Sequence, residues 1–200
     1  MVPKVVTIHD EAYQYYSWHQ LGDDIFSLAQ KLLKSDQEFD RVIALAKGGV
    51  TFARSLLDFL NVPNYSSIQI EFYTGINQTA TTPVITQSLP TSIQGERVLV
   101  FDDLVDSGET MKLAKEYFGY HGAKTVTTAT LLRKTWTKFP VDFCVRESNA
   151  WVIFPNETRE TIQLLCGKWK KEGDSDEKIA EQLRHIGFSQ PHVDLFAFAR

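Results

Sequence analysis

Short apolar runs alternate with helix-forming segments along most of the chain, and this alternation restricts the possible fold more than any other feature. Each run predicts a buried strand because it is short, rich in apolar and β-branched residues, and flanked by polar residues or glycine. Apolar positions at helical spacing predict helices between the strands. A strand–helix–strand succession implies parallel pairing through right-handed crossovers. The pattern therefore predicts an α/β fold, a mostly parallel twisted sheet flanked by helices, with strands at 41–46, 66–72, 97–101, 125–132 and 141–146 and helices at 22–34, 50–60 and 110–121.

Two segments depart from this pattern. Residues 73–96 are polar and rich in Thr, Gln and Pro, which predicts a long loop, either a functional lid or an ordinary surface excursion such as a hairpin. Near the C-terminus, residues 174–188 begin with Ser and Asp residues typical of a helix N-terminus, continue with apolar residues at helical spacing, and reach a helix-ending glycine at Gly187. These features predict a helix. We therefore expect a main domain over residues 1–165 and a helical C-terminal extension over residues 166–200, packed on that same domain.

Bulk composition argues against several classes of function. A net charge of −4 and a pI near 5.7 give no basic field for nucleic acid or an anionic membrane. Cys144 and Cys166 form no CxxC pair, which favours a reducing compartment, and the five histidines show no zinc-site spacing. The N-terminus lacks a signal-peptide pattern, and no apolar run approaches the roughly 20 residues of a membrane span. We expect a cytoplasmic protein with no nucleic-acid or membrane partner.

The most distinctive local feature is the stretch "RVLVFDDLVDSGETM" at residues 97–111. Asp102 and Asp103 end an apolar strand, and residues 106–110 then lead directly into a helix. Ligands of open parallel sheets bind beyond the carboxyl ends of the strands, and the unpaired N–H groups of a helix start favour an anion. The stretch predicts a phosphate cradle beside two acids that meet a cation or sugar hydroxyls. Helix capping is the simpler alternative, but three acids and a glycine in so short a span exceed what capping needs.

The segment "VLVFDDLVDSGET" resembles the phosphoribosyl-pyrophosphate (PRPP) signature of the type I phosphoribosyltransferases. The resemblance extends over about residues 17–160, and "YSWHQL" at 16–21 together with the tail points to the archaeal-type purine members. It implies the type I phosphoribosyltransferase fold with a small hood and a C-terminal helical tail, and a homodimer. The apolar end "HVDLFAFA" at 192–199 needs burial, either within the chain or between subunits.

The resemblance also implies roles for the acids and the segment that follows them. Asp102 and Asp103 would face the ribose hydroxyls and a Mg²⁺ ion bound to pyrophosphate. Asp106 is the candidate general acid/base near the purine N7, although closing the phosphate loop is an equally simple role for it. The 5′-phosphate would lie against Asp106, Ser107, Gly108, Glu109 and Thr110.

Two further segments match the family outside the signature. The pyrophosphate-binding loop of the family, which often contains a non-proline cis peptide, corresponds to Lys47, Gly48 and Gly49. A Gly-Gly pair alone, however, usually marks only the turn between a strand and a helix. Lys134 follows a central strand, where purine enzymes of this family carry a lysine that donates to O6 of a 6-oxopurine. A solvated surface lysine is the alternative.

The segment "NAWVIFPNE" at 149–157 resembles the hood of the family. Trp151 would stack on the purine, Val152 would offer its backbone to the base edge, and Glu157 would lie near the 2-position or the metal. A tryptophan is more often a core residue, and Asn156 replaces the second aromatic residue of the family pattern, which leaves the stacking partner and the role of Glu157 open.

Taken together, the resemblance implies an enzyme that uses PRPP, Mg²⁺ and a 6-oxopurine base (hypoxanthine, guanine or xanthine) to make a nucleoside 5′-monophosphate and pyrophosphate. Two alternatives stay open from the sequence. One is a phosphoribosyltransferase for another base, adenine or a pyrimidine, and the other is a regulator that binds PRPP or a nucleotide without catalysis.

Overall fold

The structure is a computed structural model that describes residues 3–74 and 81–198, with the side chains of residues 73, 74 and 81 left out. The strands are β1 (Val5–Ile8), β2 (Glu11–Tyr15), β3 (Arg41–Ala46), β4 (Asn64–Thr74), β5 (Thr81–Gln87), β6 (Arg97–Val105), β7 (Thr125–Arg133), β8 (Phe143–Glu147) and β9 (Trp151–Ile153). The helices are α1 (Trp18–Leu33), α2 (Gly48–Leu60), α3 (Glu109–Tyr120), α4 (Thr158–Lys171), α5 (Asp176–Ile186) and α6 (Gln190–Phe196). A short 3-10 turn, Pro155–Glu157, precedes α4.

The chain divides into two compact units, which are described separately. One comprises Met1–Asp23 and Asn149–Arg200, and the other comprises Asp24–Ser148. The predicted organisation, residues 1–165 with an extension over 166–200, is a different partition and stays a prediction.

Within the unit 24–148, a six-stranded sheet has the order β5-β4-β3-β6-β7-β8. Every neighbouring pair is parallel except β4 and β5, which are antiparallel. The mostly parallel α/β sheet predicted from the alternating pattern is confirmed. The near-continuous apolar runs of β3 and β6 suit a sheet that is covered on its faces, and the core includes Ile43, Leu45, Ile68, Val98, Val100, Met111, Ala114 and Phe118.

Strand β6 is longer than predicted, and its extension carries the paired acids. Its pairing with β3 stops at Phe101 and Ala44, whereas its pairing with β7 continues through Asp102 to Val105. The prediction that Asp102 and Asp103 follow the strand is therefore wrong by a few residues, because backbone bonding to β7 compensates for the low strand propensity of aspartate. Both acids lie on the part of β6 that follows its last pair with β3.

The predicted loop at 73–96 is also wrong in part, because residues 81–87 form the edge strand β5. Pairs such as Ile70 with Ile85 join it to β4, so the hairpin alternative fits these residues. The tip of this segment, 75–80, lies outside the described residues. Polar threonines suit an edge strand with one solvated face. From the sequence alone, where the partner strand is unknown, the same polar composition is typical of a loop.

Helix α1 begins four residues before the predicted start because a capping box fixes its end. The Ser17 hydroxyl accepts from the Gln20 N–H at 3.2 Å, and the Gln20 side chain accepts from the Ser17 N–H at 2.9 Å. This reciprocal pairing satisfies two donors that a helix start leaves open. Further along α1, the buried Asp24 accepts from Arg146 on β8 at 2.7–2.9 Å, which holds this part of the helix against the sheet.

The unit formed by residues 1–23 and 149–200 has its own small sheet of order β1-β2-β9. Helices α4, α5 and α6 pack with this sheet around the buried Trp169, Tyr13 and Leu183. The predicted C-terminal helix is confirmed as α5, where Ser175 caps the start and Gly187 ends the helix at φ +139°. In the part of the chain that the structure describes, no helix has both the length and the apolar character needed to cross a membrane.

Candidate active site

The carboxyl ends of β3 and β6 bring two helix starts and two carboxylates together. Strand β3 leads through Lys47 into α2, and β6 leads through residues 106–108 into α3. Neither N-cap residue, Lys47 of α2 or Gly108 of α3, makes a side-chain capping hydrogen bond, and the positive end of each helix dipole stays available to an anion. This is the edge of a parallel sheet where ligands bind.

Asp102 and Asp103 place two adjacent carboxyl groups in a largely buried environment. Asp103 is only 7% exposed, and its N–H donates to the Asp102 carboxylate at 3.0 Å. Burial and then the neighbouring Asp103 carboxyl raise the pKa of Asp102 well above its ordinary value, while the N–H groups of Asp103 and Gly49 act in the opposite direction. Burial raises the pKa of Asp103 to about 6. Perturbed, paired carboxyls of this kind are common at functional sites and uncommon on passive surfaces.

The turn between β3 and α2 approaches these acids closely because two glycines lie there. The peptide bond between Ala46 and Lys47 is cis, in agreement with the expectation from the family. A Cβ atom added to Gly48 would lie 2.5 Å from Oδ2 of Asp103, and one added to Gly49 would lie 2.6 Å from the carbonyl oxygen of Phe101. Gly49 therefore needs glycine because its Cβ would meet backbone, whereas a Cβ at Gly48 would displace the Asp103 carboxyl. The side chain of Lys47 is exposed.

Residues 106–110 form a tight turn into α3. Gly108 has φ +91° and is buried against Phe139, whose backbone nitrogen would lie 3.3 Å from an added Cβ. The Ser107 hydroxyl accepts from the Glu109 N–H at 3.3 Å, and the first helical bond runs from the Lys112 N–H to the Gly108 carbonyl. A left-handed glycine followed by successive backbone N–H groups is a concavity suited to phosphate.

Lys134 lies at the end of β7, beside Asp106. It is 6% exposed, and burial lowers its pKa while the charge of Asp106 acts in the opposite direction. The backbone N–H of Lys134 donates to the Val105 carbonyl at 3.0 Å, which fixes the backbone of Lys134 next to the residue before Asp106. The surface-lysine alternative is wrong, because a solvated lysine would not be buried to this degree.

Comparison with known proteins agrees with this geometry. Residues 11–161 match the family model of the phosphoribosyl transferase domain. The chain belongs to the phosphoribosyl transferase domain family. The resemblance read from "VLVFDDLVDSGET" is confirmed, and so is the expectation of an enzyme of the phosphoribosyltransferase class.

Among the relatives of this phosphoribosyltransferase is a xanthine-guanine phosphoribosyltransferase of Gluconobacter oxydans, 29% identical over 154 residues that span 76% of this chain and 87% of the relative. A hypoxanthine-guanine phosphoribosyltransferase of Streptococcus pyogenes is 28% identical over 60% of this chain and 67% of the relative. The crystal structure of a purine phosphoribosyltransferase from Pyrococcus horikoshii is 33% identical, covers 72% of this chain and 93% of that one, and superposes with a TM-score of 0.65.

The structure places the predicted hood residues of this phosphoribosyltransferase in the other unit. Trp151 begins β9 and stacks against Tyr13, with ring centroids 6.1 Å apart, while the Lys168 ammonium lies 5.9 Å from its centroid. Val152 is buried beside it, and Glu157 ends the short turn before α4. The roles inferred for these three residues stay predictions.

Sequence reasoning missed one side chain that contacts this site. The indole N–H of Trp136 donates to Oδ1 of Asp106 at 2.6 Å, and the Lys134 ammonium lies 5.5 Å from the indole centroid. The only signal was the position of Trp136 within "LLRKTW", two residues after the singled-out lysine, because an exposed tryptophan carries no motif of its own.

Proposed function

We propose that this chain transfers the 5-phosphoribosyl group of PRPP to a 6-oxopurine (hypoxanthine, guanine or xanthine) and releases pyrophosphate and the nucleoside 5′-monophosphate. One observation carries the proposal: a largely buried carboxylate pair lies beside the starts of α2 and α3 at the carboxyl ends of β3 and β6, and neither N-cap residue makes a side-chain capping bond. PRPP has a phosphate at one end, a pyrophosphate at the other and ribose hydroxyls between them, and this site offers a complementary group for each.

The 5′-phosphate would bind in the turn of residues 106–110. The backbone N–H groups there point out of the start of α3, and Ser107 and Thr110 add hydroxyl donors. Because Gly108 has positive φ and abuts Phe139, the turn is held in one shape before the phosphate arrives. Preorganised donors of this kind bind an anion without the entropy cost of ordering a loop.

Asp102 and Asp103 fit a Mg²⁺ ion by the chemistry of their donor atoms, and they would hold it together with the ribose hydroxyls. Mg²⁺ takes oxygen ligands and is often bound by one or two carboxylates plus substrate phosphates. Over residues 3–74 and 81–198 no group of three or more His, Cys, Asp or Glu forms a cage for a metal. When bound, Mg²⁺ supplies positive charge to the pyrophosphate leaving group. Glu157 is a further proposed ligand.

The pyrophosphate would bind at the turn of Lys47, Gly48 and Gly49. The absence of side chains at the two glycines lets the phosphate oxygens reach the N–H groups at the start of α2, and the exposed Lys47 ammonium adds positive charge. In the reaction the C1′–oxygen bond breaks and pyrophosphate leaves with the electron pair. Groups that stabilise charge on the departing oxygens lower that barrier.

The base would bind beside Lys134 and Asp106. The Lys134 ammonium would donate to O6, which discriminates against adenine because an amino group there is a donor too. As N9 of the purine forms its bond to C1′, the N7 proton would pass to Asp106. Trp151 would stack on the purine and Val152 would offer its backbone. The purine relatives in Gluconobacter and Streptococcus support this choice of base.

We also propose a cytoplasmic homodimer. Both cysteines of the chain are free thiols, which suits a reducing compartment. The dimer rests on the resemblance to the family.

The test is a base panel with PRPP and Mg²⁺, in which hypoxanthine, guanine, xanthine and adenine are supplied separately and nucleotide is measured by chromatography. We expect turnover with at least one 6-oxopurine and little with adenine. A Lys134→Gln variant, which keeps a polar side chain but loses the ammonium, should lose most 6-oxopurine turnover. Turnover with adenine or a pyrimidine alone would identify another base as substrate, and PRPP binding without any turnover would identify a regulator.

A further inference from the structure

The turn that follows β7 is fastened to the end of β6, directly at the residue before Asp106. The N–H of Lys134 donates to the carbonyl of Val105 at 3.0 Å. The hydroxyl of Thr137 donates to that same carbonyl at 3.1 Å and also to the carbonyl of Asp106. These bonds fix the backbone of residues 134–137 against residues 105–106, so side chains on the turn have a defined position relative to Asp106.

Trp136 uses that position to contact two groups of the candidate site at once. Its indole N–H donates to Oδ1 of Asp106 at 2.6 Å. Hydrogen bonds to a carboxylate are shorter and stronger than those between neutral groups. The Trp136 ring lies under the Lys134 ammonium, 5.5 Å from the centroid, within the range of a cation–π contact. The side chain of Asp106 is itself exposed, and an exposed carboxylate samples several rotamers unless a contact holds it.

We propose that Trp136 is a positioning residue for Asp106: its indole N–H holds Oδ1 so that Oδ2 faces the purine, while its ring holds the Lys134 ammonium beside it. This inference rests on the proposed function. Trp136 acts through Asp106 and Lys134 and has no reacting atom of its own.

The chemistry of indole explains why tryptophan suits this role. An indole N–H is only a donor, so it cannot take the purine proton in place of Asp106. When N9 bonds to C1′ and the N7–H bond breaks, the proton goes to Oδ2, and the carboxylate becomes a neutral carboxyl group. Holding Oδ1 throughout this transfer keeps the accepting oxygen aligned, which is the contribution of orientation to the rate.

Two substitutions separate the functions of the ring and of the N–H. Trp136→Phe keeps an aromatic face for Lys134 and removes the donor to Asp106. We expect kcat to fall about tenfold with little change in KM for the base, which is only part of the roughly 10²–10⁴-fold that positioned proton transfer contributes, because Asp106 itself stays in place. Trp136→Ala removes both contacts, and KM for the base should rise as well. Trp18→Phe is the matched control, because Trp18 is similarly exposed, at 60% against 52%, and should retain wild-type kinetics.

A purely structural role predicts a different result. It would lower the yield of folded protein or the unfolding temperature of Trp136→Phe, and leave kcat per folded molecule unchanged. An unchanged kcat would therefore overturn the inference. A faster Trp136→Phe enzyme would overturn it too, since the indole would then be competing with the base for Asp106.

A second readout needs no turnover. The chain has four tryptophans, so a ¹⁵N–¹H spectrum has few indole resonances, and the one lost in Trp136→Phe belongs to Trp136. We expect that resonance to lie downfield and to move upfield in Asp106→Ala. An unmoved resonance overturns the contact itself. If the wild type turns over no base, the proposed function fails and the role of Trp136 in transfer fails with it, whereas unchanged kcat in Trp136→Phe of an active enzyme refutes only the inference.

Discussion

Replacing Asp103 by asparagine is expected to stabilise the protein at neutral pH while it abolishes activity. Burial raises the pKa of this carboxyl to about 6, from an ordinary value of 3.8. The folded state therefore binds more protons than the unfolded state between these two values, so stability is fully present below the ordinary pKa and falls as pH rises through about 6. The difference corresponds to about 3 kcal/mol at neutral pH, because each unit of pKa is worth about 1.4 kcal/mol.

An asparagine side chain carries no charge at any pH, so Asp103→Asn removes this penalty. We expect its free energy of unfolding in urea to exceed that of the wild type by up to about 3 kcal/mol at pH 7.5, and the two proteins to converge near pH 4. Asp58→Asn is the control: its side chain is 69% exposed, and the change should stay within about 0.5 kcal/mol.

Loss of activity should accompany the gain in stability, because the carboxylate is proposed to hold Mg²⁺ and the ribose. A substitution that raises stability and abolishes activity is typical of a functional residue that destabilises the fold. The reasoning is refuted if Asp103→Asn is no more stable than the wild type at pH 7.5, or if its stability advantage is the same at pH 4.

Three further predictions follow from single contacts. Gly49→Ala should lower PRPP turnover by at least about tenfold, because its Cβ would lie 2.6 Å from the carbonyl oxygen of Phe101 and displace the turn; PRPP titration by calorimetry should show weakened binding, and unchanged binding would contradict the tight approach. Asp24→Ala should cost about 3 kcal/mol in urea unfolding because it leaves Arg146 without its buried partner; a loss below about 1 kcal/mol would show that the pair contributes little. Lys134→Met, which keeps the length but not the charge of a buried side chain, should fold at least as stably as the wild type by thermal denaturation, since burial already lowers the pKa of Lys134; a marked loss of stability would indicate a structural role.

The central sheet could be predicted from the sequence because its strands are short, apolar and separated by clear helices. The predicted ends of β3 match the observed ones, whereas the strand predicted at 97–101 stops four residues short and the one at 125–132 stops one residue short. The acids on β6 are predicted at the end of a strand that stops at residue 101 because aspartate has low strand propensity, whereas bonding to β7 determines where the strand ends. Likewise β5 depends on its pairing with β4, and a polar Thr-rich segment without a known partner resembles a loop.

The other unit was harder to predict because its elements are short and their order in the sheet is not that of the sequence. β9 pairs with β2 over a long separation along the chain, and three-residue strands leave almost no periodicity to detect. Helix α1 starts four residues before the apolar periodicity predicts, because the capping box of Ser17 and Gln20 determines its first turn.

The candidate site was predictable where a motif fixes the backbone and unpredictable where tertiary contacts place a side chain. Gly48 and Gly49 were selected for close backbone approach, and the added-Cβ distances to Asp103 and Phe101 give the physical reason. The contact of Trp136 with Asp106 depends on how the turn after β7 docks on β6, and no local pattern records such docking.

The most direct test of the account is ³¹P NMR of the protein mixed with PRPP, Mg²⁺ and one 6-oxopurine. We predict that the PRPP signals disappear while pyrophosphate and a nucleoside 5′-monophosphate appear in equal amounts, and that no reaction occurs without the base. Unchanged PRPP with each of hypoxanthine, guanine and xanthine would contradict it, as would pyrophosphate accompanied by ribose 5-phosphate and no nucleotide.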